Sequence, residues 1–165
     1  MEAGLPQNQI GDPGFKLRLA RAIVPPVVID DSTEFGARAA RHLTDEIVVW
    51  LTSVSPRGAP LPMPVWFLWD GDDSVVVYSQ PGARVRNVES NPHVTLNFAG
   101  DGGGGDIVVL SGTVTLDREG PSADRDAGYV AKYAEHIARI GHTPESFANR
   151  YSVPVRIRLE RLRGH

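Results

Sequence analysis

The hydrophobic positions along the chain first follow helical spacing and then form strand-like runs. Small and apolar residues recur three or four positions apart from Phe35 onward, a spacing that predicts a helix over residues 34–46. The recurring positions are Phe35, Ala39, Leu43 and Ile47. Ser32 or Thr33, just before this segment, can cap the first turn with a side-chain oxygen.

Six later runs are rich in β-branched, aromatic and other apolar residues, the composition typical of strands. They are residues 47–54, 61–69, 74–79, 93–99, 106–116 and 153–162. After the first predicted helix, further helical patterns lie between these runs, at residues 83–89, 121–140 and 144–151. Because strands and helices do not alternate regularly, the pattern predicts a mainly β (α+β) protein, an antiparallel barrel of six strands with peripheral helices.

The N-terminal part of the chain lacks this regularity. Residues 1–31 contain four prolines and one short periodic patch, so we expect an N-terminal arm. Residues 32–165 are then long enough for one barrel domain with its own core.

Charge and cysteine content exclude several classes of function. The formal net charge of −3 provides no positive field for nucleic acid or an anionic membrane, so neither partner is expected. The absence of cysteine excludes disulfides, thiolate nucleophiles and cysteine metal sites, and it fits a cytoplasmic protein. The five histidines show no zinc-ligand spacing, so no metal site is expected.

One predicted strand, residues 61–69, carries two prolines at alternate positions. Pro62 and Pro64 lack N–H groups on the same side of the strand, so that side cannot pair fully with a neighbour. We expect a free sheet edge or a bound ligand there. The strand is also apolar on both faces, which is typical of a subunit interface or of the wall of an aromatic ligand's pocket.

The segment that follows the third predicted strand has the features of an anion site. The chain passes from Tyr78 and Ser79 through a Pro-Gly turn into a predicted helix. Arg84 and Arg86 stand at the start of that helix, where the helix dipole disfavours cations and attracts anions. A bound phosphate, held also by the Ser79 hydroxyl and the turn N–H groups, would resolve this conflict. The alternative is a pair of solvated arginines.

Other candidate motifs are weaker. The glycines at 102–105 lie between two strands and lack the strand–loop–helix context of a nucleotide-binding loop, so we expect a hairpin loop. Tyr129, Tyr133 and His136 can share a helix face, where we expect them to pack rather than to donate a proton. No nucleophile elbow or carboxylate pair is present, which leaves a bound cofactor as the source of reactivity.

Several segments carry a resemblance to a known family. They include PMPVWFLWDG at 62–71, YSQP at 78–81, RVRNV at 84–88 and Asn91-Pro92. With these segments the chain resembles the pyridoxamine 5′-phosphate oxidase-like split-barrel flavoproteins. GDGGGGD at 100–106, YVAKY at 129–133, IAR at 137–139, YSVP at 151–154 and Arg163-Gly164 are similar to the actinobacterial branch that uses the deazaflavin coenzyme F420.

The resemblance covers residues 34–165 and implies the FMN-binding split-barrel fold. It further implies that backbone groups of Met63, Pro64 and Val65 line the cofactor ring. The residues implied to meet the phosphate are Tyr78, Ser79 and Arg84. The same segments contain the remaining predicted cofactor-binding residues, Trp66, Gln80, Arg86 and Asn87.

The function implied is that of an F420-dependent oxidoreductase, a homodimer with the cofactor in the groove between its barrels. Reduced F420 would transfer a hydride to an unsaturated small molecule, and no catalytic side chain is assigned because solvent can supply the proton. One alternative is an FMN-binding oxidoreductase of the same fold, and another is a non-catalytic flavin- or deazaflavin-binding protein. Residues 161–164 depart from the Arg-Leu-X-Pro ending of pyridoxamine phosphate oxidases, so oxidation of the vitamin phosphate is not expected.

Overall fold

The structure is a computed structural model that describes residues 25–27 and 29–165. Most of the predicted N-terminal arm, residues 1–24 and Val28, lies outside the described residues. The end of the arm lies against the barrel, because the Val27 N–H donates to the Leu159 carbonyl oxygen at 2.9 Å. The side chains of Val27 and Ile29 pack against the barrel core.

Four helices and seven strands are present in the described part of the chain. The helices are α1 (Glu34–Asp45), α2 (Ala83–Ser90), α3 (Ala127–Arg139) and α4 (Pro144–Arg150). The strands are β1 (Val49–Val54), β2 (Pro60–Val65), β3 (Leu68–Trp69), β4 (Ser74–Ser79), β5 (His93–Asn97), β6 (Val108–Leu116) and β7 (Val153–Gly164). The predicted mainly β class with peripheral helices is confirmed. None of the helices in the described ranges has the length and apolar character needed to cross a membrane.

The strands form one antiparallel sheet that curls into a split barrel. Their order is β2-β1-β5-β6-β7-β4-β3, so β2 and β3 are its two edges. Only Trp66 and Phe67 connect these edges along the chain. A trans chain of this length spans at most about 10 Å, so the sheet must bend until its two edges lie close together.

The prediction of six strands was wrong by one, because the expected strand at 61–69 is interrupted. The Phe67 N–H donates to the Tyr133 hydroxyl at 2.9 Å, and that hydroxyl lies 2.7 Å from the Phe67 carbonyl oxygen. It also lies 2.9 Å from the Ile47 carbonyl oxygen. The backbone of Phe67 therefore has a side-chain partner instead of a neighbouring strand, and the chain changes edge at this residue.

Two cores lie on opposite faces of β4, all of whose residues are buried. Val75 and Val77 face the barrel interior, and Val76 and Tyr78 pack under α3 and α4. Residues 61–69, apolar on both faces, were expected to line a subunit interface or a ligand pocket, and within one chain β2 is mostly exposed. Beyond β2 the two neighbouring residues take opposite sides, because Phe67 enters the barrel core while Trp66 packs under the helices.

The helix boundaries follow their capping residues. Of the two candidates Ser32 and Thr33, Thr33 caps α1, and Thr143 caps α4, both through side-chain oxygens. Helix α3 begins at Ala127 rather than near residue 121, because the Asp126 carboxylate accepts the Tyr129 N–H and so acts as the cap. The predicted start was six residues early.

The passage of the chain from one sheet edge to the other at Phe67, here called the edge crossing, provides a test of the fold. Tyr133→Phe removes the partner of the Phe67 N–H inside the protein, so the free energy of unfolding should fall by about 1–3 kcal/mol. Urea denaturation monitored by tryptophan fluorescence measures this change. An unfolding midpoint equal to that of the wild type would contradict the role assigned to this hydroxyl.

Candidate functional site

A cavity of about 460 Å³ opens beside the point where β2 ends. This volume lies within the usual range for small-molecule sites. Its walls come from residues 63–66, residues 78–84, and Tyr129, Ile140, Phe147 and Tyr151. In sheet order β2 is one edge and β4 lies next to the other, so these walls meet only because the sheet curls.

Arg84 supplies a positive charge at one end of the cavity. Its Nη1 donates to the Ser79 hydroxyl at 3.1 Å. The side chain is partly buried, and burial lowers the pKa of its guanidinium from the ordinary value. No carboxylate in the described part of the chain forms an ion pair with it. The remaining donors of this desolvated cation are suited to an anionic ligand.

The start of α2 adds backbone donors to the same end. The N-cap residue of α2 is Gly82, which offers no side-chain acceptor, and its first turn has no acidic residue. The other three helices of the described chain are capped by Thr33, Asp126 and Thr143. First-turn N–H groups without a capping side chain attract anions, in agreement with the charge of Arg84.

Part of the cavity wall is a stack of aromatic rings. The Trp66 ring lies 5.0 Å from that of Tyr133 at an interplanar angle of 8° and 5.5 Å from that of Phe147 at 17°. Phe147 in turn stacks on Tyr151, with ring centroids 4.4 Å apart. Stacking of this kind holds the ring of Trp66 in one orientation, so this wall is rigid.

The expected packing role of the α3 aromatic face is confirmed for its two tyrosines. Tyr129 and Tyr133 are 0% exposed and belong to the core beneath α3. Tyr78 joins them, and its hydroxyl donates to Asp126 Oδ2, 3.0 Å away, or to the Pro121 carbonyl oxygen, 3.1 Å away. Burial is the main cause that raises the pKa of each of these phenols, so they remain protonated at neutral pH.

The structure brings eight of the ten predicted site residues to this cavity. They are Met63, Pro64, Val65, Trp66, Tyr78, Ser79, Gln80 and Arg84. Arg86 and Asn87 do not line it: the Arg86 side chain is exposed, and Asn87 is buried with its Nδ2 3.3 Å from the Ser53 hydroxyl. Their contact with a cofactor stays a prediction.

Seven further lining residues were not among the predicted site residues. Pro81, Gly82 and Ala83 belong to the turn and helix start whose N–H groups were expected to meet an anion, and the other four are Tyr129, Ile140, Phe147 and Tyr151. Tyr129 and Tyr151 belong to segments that carry the family resemblance, which was a usable signal. Ile140 and Phe147 follow no motif and reach the cavity only through the packing of α3 and α4.

The glycine-rich loop between β5 and β6 serves another purpose. One carboxylate oxygen of Asp101 accepts the N–H groups of Gly103 at 2.7 Å and Gly105 at 2.9 Å. Because these N–H groups already have an acceptor, the loop is an organised strand connection, as expected, and not a phosphate cradle. Within the described ranges no group of three potential metal ligands occurs.

Comparison with known proteins identifies the family. The family profile described as pyridoxamine 5′-phosphate oxidase matches residues 35–165. The chain belongs to this family. Its members are generally flavin-dependent oxidoreductases on a flavin-binding split barrel, which agrees with the barrel and the cavity. A search of curated proteins found no significant match.

Solved structures share this fold at low sequence identity. An F420 reductase has 20% identity over 74% of this chain and 94% of its own, with a TM-score of 0.55. A FAD-binding protein from Mesorhizobium loti has 20% identity over 76% and 88%, with a TM-score of 0.54. A conserved hypothetical protein from Mycobacterium tuberculosis has 19% identity over 77% and 81%, with a TM-score of 0.58.

A lysine behind the edge crossing makes stability depend on pH. The Lys132 Nζ lies 4.1 Å from the centroid of the Phe67 ring, and burial lowers its pKa to about 8, although Asp45 and Glu46 oppose the shift. Above that pH the unfolded chain binds more protons than the folded chain, so the free energy of unfolding should rise with pH. Between about pH 8 and 9.5, below the titration of unfolded tyrosines, the wild type should gain stability relative to Lys132→Met. Urea titrations of both proteins across this pH range measure the difference. An equal change of the free energy of unfolding with pH in the two proteins would contradict it.

Proposed function

We propose that this chain is an F420-dependent oxidoreductase that binds the deazaflavin in the cavity beside β2. The observation that carries the proposal is the state of Arg84, a partly buried cation with a hydroxyl partner and no carboxylate partner in the described chain. It lies at the start of a helix that has no side-chain cap. The other walls of the cavity carry apolar and aromatic residues, so the cavity is suited to a planar ring that carries a phosphate.

Two considerations favour F420 over FMN. The segments at 100–106, 129–133 and 151–154 resemble the F420-using branch rather than the superfamily as a whole. One solved structure with the same fold is an F420 reductase. FMN is the alternative cofactor, because the family is a flavin-binding one and another structural neighbour is a FAD-binding protein. A flavin- or deazaflavin-binding protein without turnover is the third candidate.

When bound, reduced F420 supplies a hydride to an unsaturated small molecule. Arg84 and Ser79 hold the phosphate end, and the guanidinium can bind it in a bidentate manner. Met63 and Val65 at the end of β2 contact the ring, and the aromatic wall excludes water from it. Burial and the hydrogen bond to Asp126 raise the pKa of Tyr78 and make it a weak acid, so no catalytic side chain is assigned and solvent can supply the proton that follows the hydride.

We further propose that two copies associate through the edge formed by β2. Leu61 is 42% exposed and Met63 is 51% exposed, although their register partners in β1, Ser53 and Leu51, are buried. Uncovered apolar side chains on the core-facing side of a sheet are typical of an interface. Prolines at alternate positions of β2 prevent a further strand from pairing there, so the contact would be made by side chains.

Coenzyme binding and turnover test the proposed function. Fluorescence titration should show that the full chain binds F420 more tightly than FMN. Reduced F420 should then be oxidised when enones or quinones are added, as followed by its absorbance. Tighter binding of FMN would favour the alternative cofactor, and binding of F420 without turnover would favour the non-catalytic candidate. Binding of neither coenzyme would contradict the proposal.

Arg84→Ala should lower the affinity for F420 about ten- to hundredfold, because one charge-assisted contact contributes about 1.5–3 kcal/mol. Without coenzyme the melting temperature should stay the same or rise, since the variant no longer buries a cation. Arg84→Lys should keep most of the affinity. Arg86→Ala removes an equal charge from an exposed neighbour outside the cavity and should have a smaller effect. A larger loss in Arg86→Ala than in Arg84→Ala would place the phosphate elsewhere.

Light scattering should give the mass of two chains for the wild type at micromolar concentration. Leu61→Glu places a charge on the exposed apolar edge and should shift the mass toward one chain without loss of fold by circular dichroism. A wild-type mass of one chain would contradict the proposed dimer.

A further inference from the structure

The walls that this chain supplies to the cavity carry a single charged side chain. Among the described residues that line the cavity, Arg84 alone has a charged side chain, and no aspartate, glutamate, lysine or histidine belongs to the wall. The other lining residues are glycine and residues with apolar, aromatic, hydroxyl or amide side chains. In the proposed function Arg84 holds the phosphate of the coenzyme. No charge of this chain then remains in the cavity for a second ligand.

Two further arginines stand next to lining residues in the sequence, but they do not add a charge to the wall. Arg139 precedes Ile140 and Arg150 precedes Tyr151; both arginines are exposed, and neither lines the cavity. A carboxylate inside the cavity would lose water without gaining a charged partner from this chain. Transfer of an unpaired charge out of water is costly, so the cavity disfavours a charged second ligand.

The apolar surface that a ligand can reach in this wall is concentrated at two residues. Met63 is 51% exposed and Ile140 is 48% exposed, whereas Val65 and Phe147 are 7% and 2% exposed. Met63 belongs to β2, the strand expected to line the coenzyme ring. Ile140 belongs to a different element, the end of α3, and its accessible side chain is available to a second molecule in the same cavity.

The end of α3 fixes the backbone position of Ile140. The Gly141 N–H donates to the Ala138 carbonyl oxygen at 3.0 Å, and the His142 N–H donates to the Ile137 carbonyl oxygen at 3.1 Å. These two bonds form the Schellman motif, which requires a residue in the left-handed region, and Gly141 has a φ of 80°. Ile140 is therefore the last residue before a defined helix end and not part of an irregular loop.

We propose that the hydride acceptor is an uncharged molecule with an apolar part, and that Ile140 contacts this apolar part. The inference rests on the proposed function and names the class of molecule that the same cavity accepts beside the coenzyme. In the reaction a C=C bond of the acceptor gains the hydride at one carbon and a solvent proton at the other, while reduced F420 is oxidised. The product is then uncharged as well, in agreement with a wall that has no second charged group.

Three acceptors that share one enone group test the charge. They are propyl vinyl ketone, its analogue with a carboxylate in place of the terminal methyl group, and the methyl ester of that analogue. With reduced F420, the wild type should have a kcat/KM for the carboxylate at least about tenfold below that for the methyl ester, because the unpaired charge must enter the cavity. An equal or higher kcat/KM for the carboxylate would overturn the inference, since it would show that a cation reaches the acceptor.

The length of the alkyl chain tests the contact with Ile140. From ethyl to propyl to pentyl vinyl ketone, the wild-type kcat/KM should rise by up to about fourfold for each methylene group that becomes buried. Ile140→Ser should reduce this rise and leave the affinity for F420 in fluorescence titration unchanged, and Ile140→Val should keep most of the rise. Val48→Ser removes an apolar side chain that is 37% exposed outside the cavity and should keep the whole rise. A rise as steep in Ile140→Ser as in the wild type would overturn the contact.

These outcomes are distinguishable from a failure of the proposed function. A protein that binds F420 and reduces the carboxylate as well as the ester keeps the proposed function and loses this inference. If quinones alone are reduced, quinones with alkyl and carboxylate substituents replace the ketones in both comparisons. A protein that oxidises reduced F420 with none of these acceptors would overturn the proposed function and this inference together.

Discussion

The hydrogen bonds of the Tyr133 hydroxyl hold the point at which the chain passes from one edge of the sheet to the other. Phe67 has no strand partner there, and a backbone group buried without a partner costs about as much as a lost hydrogen bond. The same hydroxyl contacts the Ile47 carbonyl, just before β1. The Tyr133 side chain of α3 therefore links the helix layer to Ile47, just before β1, and to Phe67, just after β2.

The candidate site is a consequence of that closure. At the crossing, Phe67 enters the barrel core and Trp66 packs under α3 and α4. This placement brings the end of β2 beside the end of β4, although the two strands are far apart in the order of the sheet. Ser79 and Arg84 thereby line the same cavity as the aromatic residues Trp66, Phe147 and Tyr151.

Arg84 is the polar group of this cavity that the protein satisfies least. It is partly buried without a carboxylate partner in the described chain. This lowers the stability of the ligand-free protein, whereas the hydroxyls of Tyr78 and Tyr133 nearby are hydrogen-bonded. Groups that cost stability in the empty site and gain a partner on binding are the expected signature of a preorganised ligand site.

The sequence by itself determined the local features. Capping residues and apolar periodicity predicted the mainly β class and most element positions, because these signals depend on neighbours a few positions apart. The turn before Arg84 predicted the anion-binding residues Ser79 and Arg84, and the other six predicted residues of the cavity wall came from the family resemblance. Only the tertiary structure decided that residues 61–69 divide at Phe67 and that Phe147 and Ile140 reach the cavity. It also left Arg86 outside the cavity wall. These outcomes depend on which groups meet across the curled sheet, and a hydrogen bond between residues 66 positions apart leaves no local pattern in the chain.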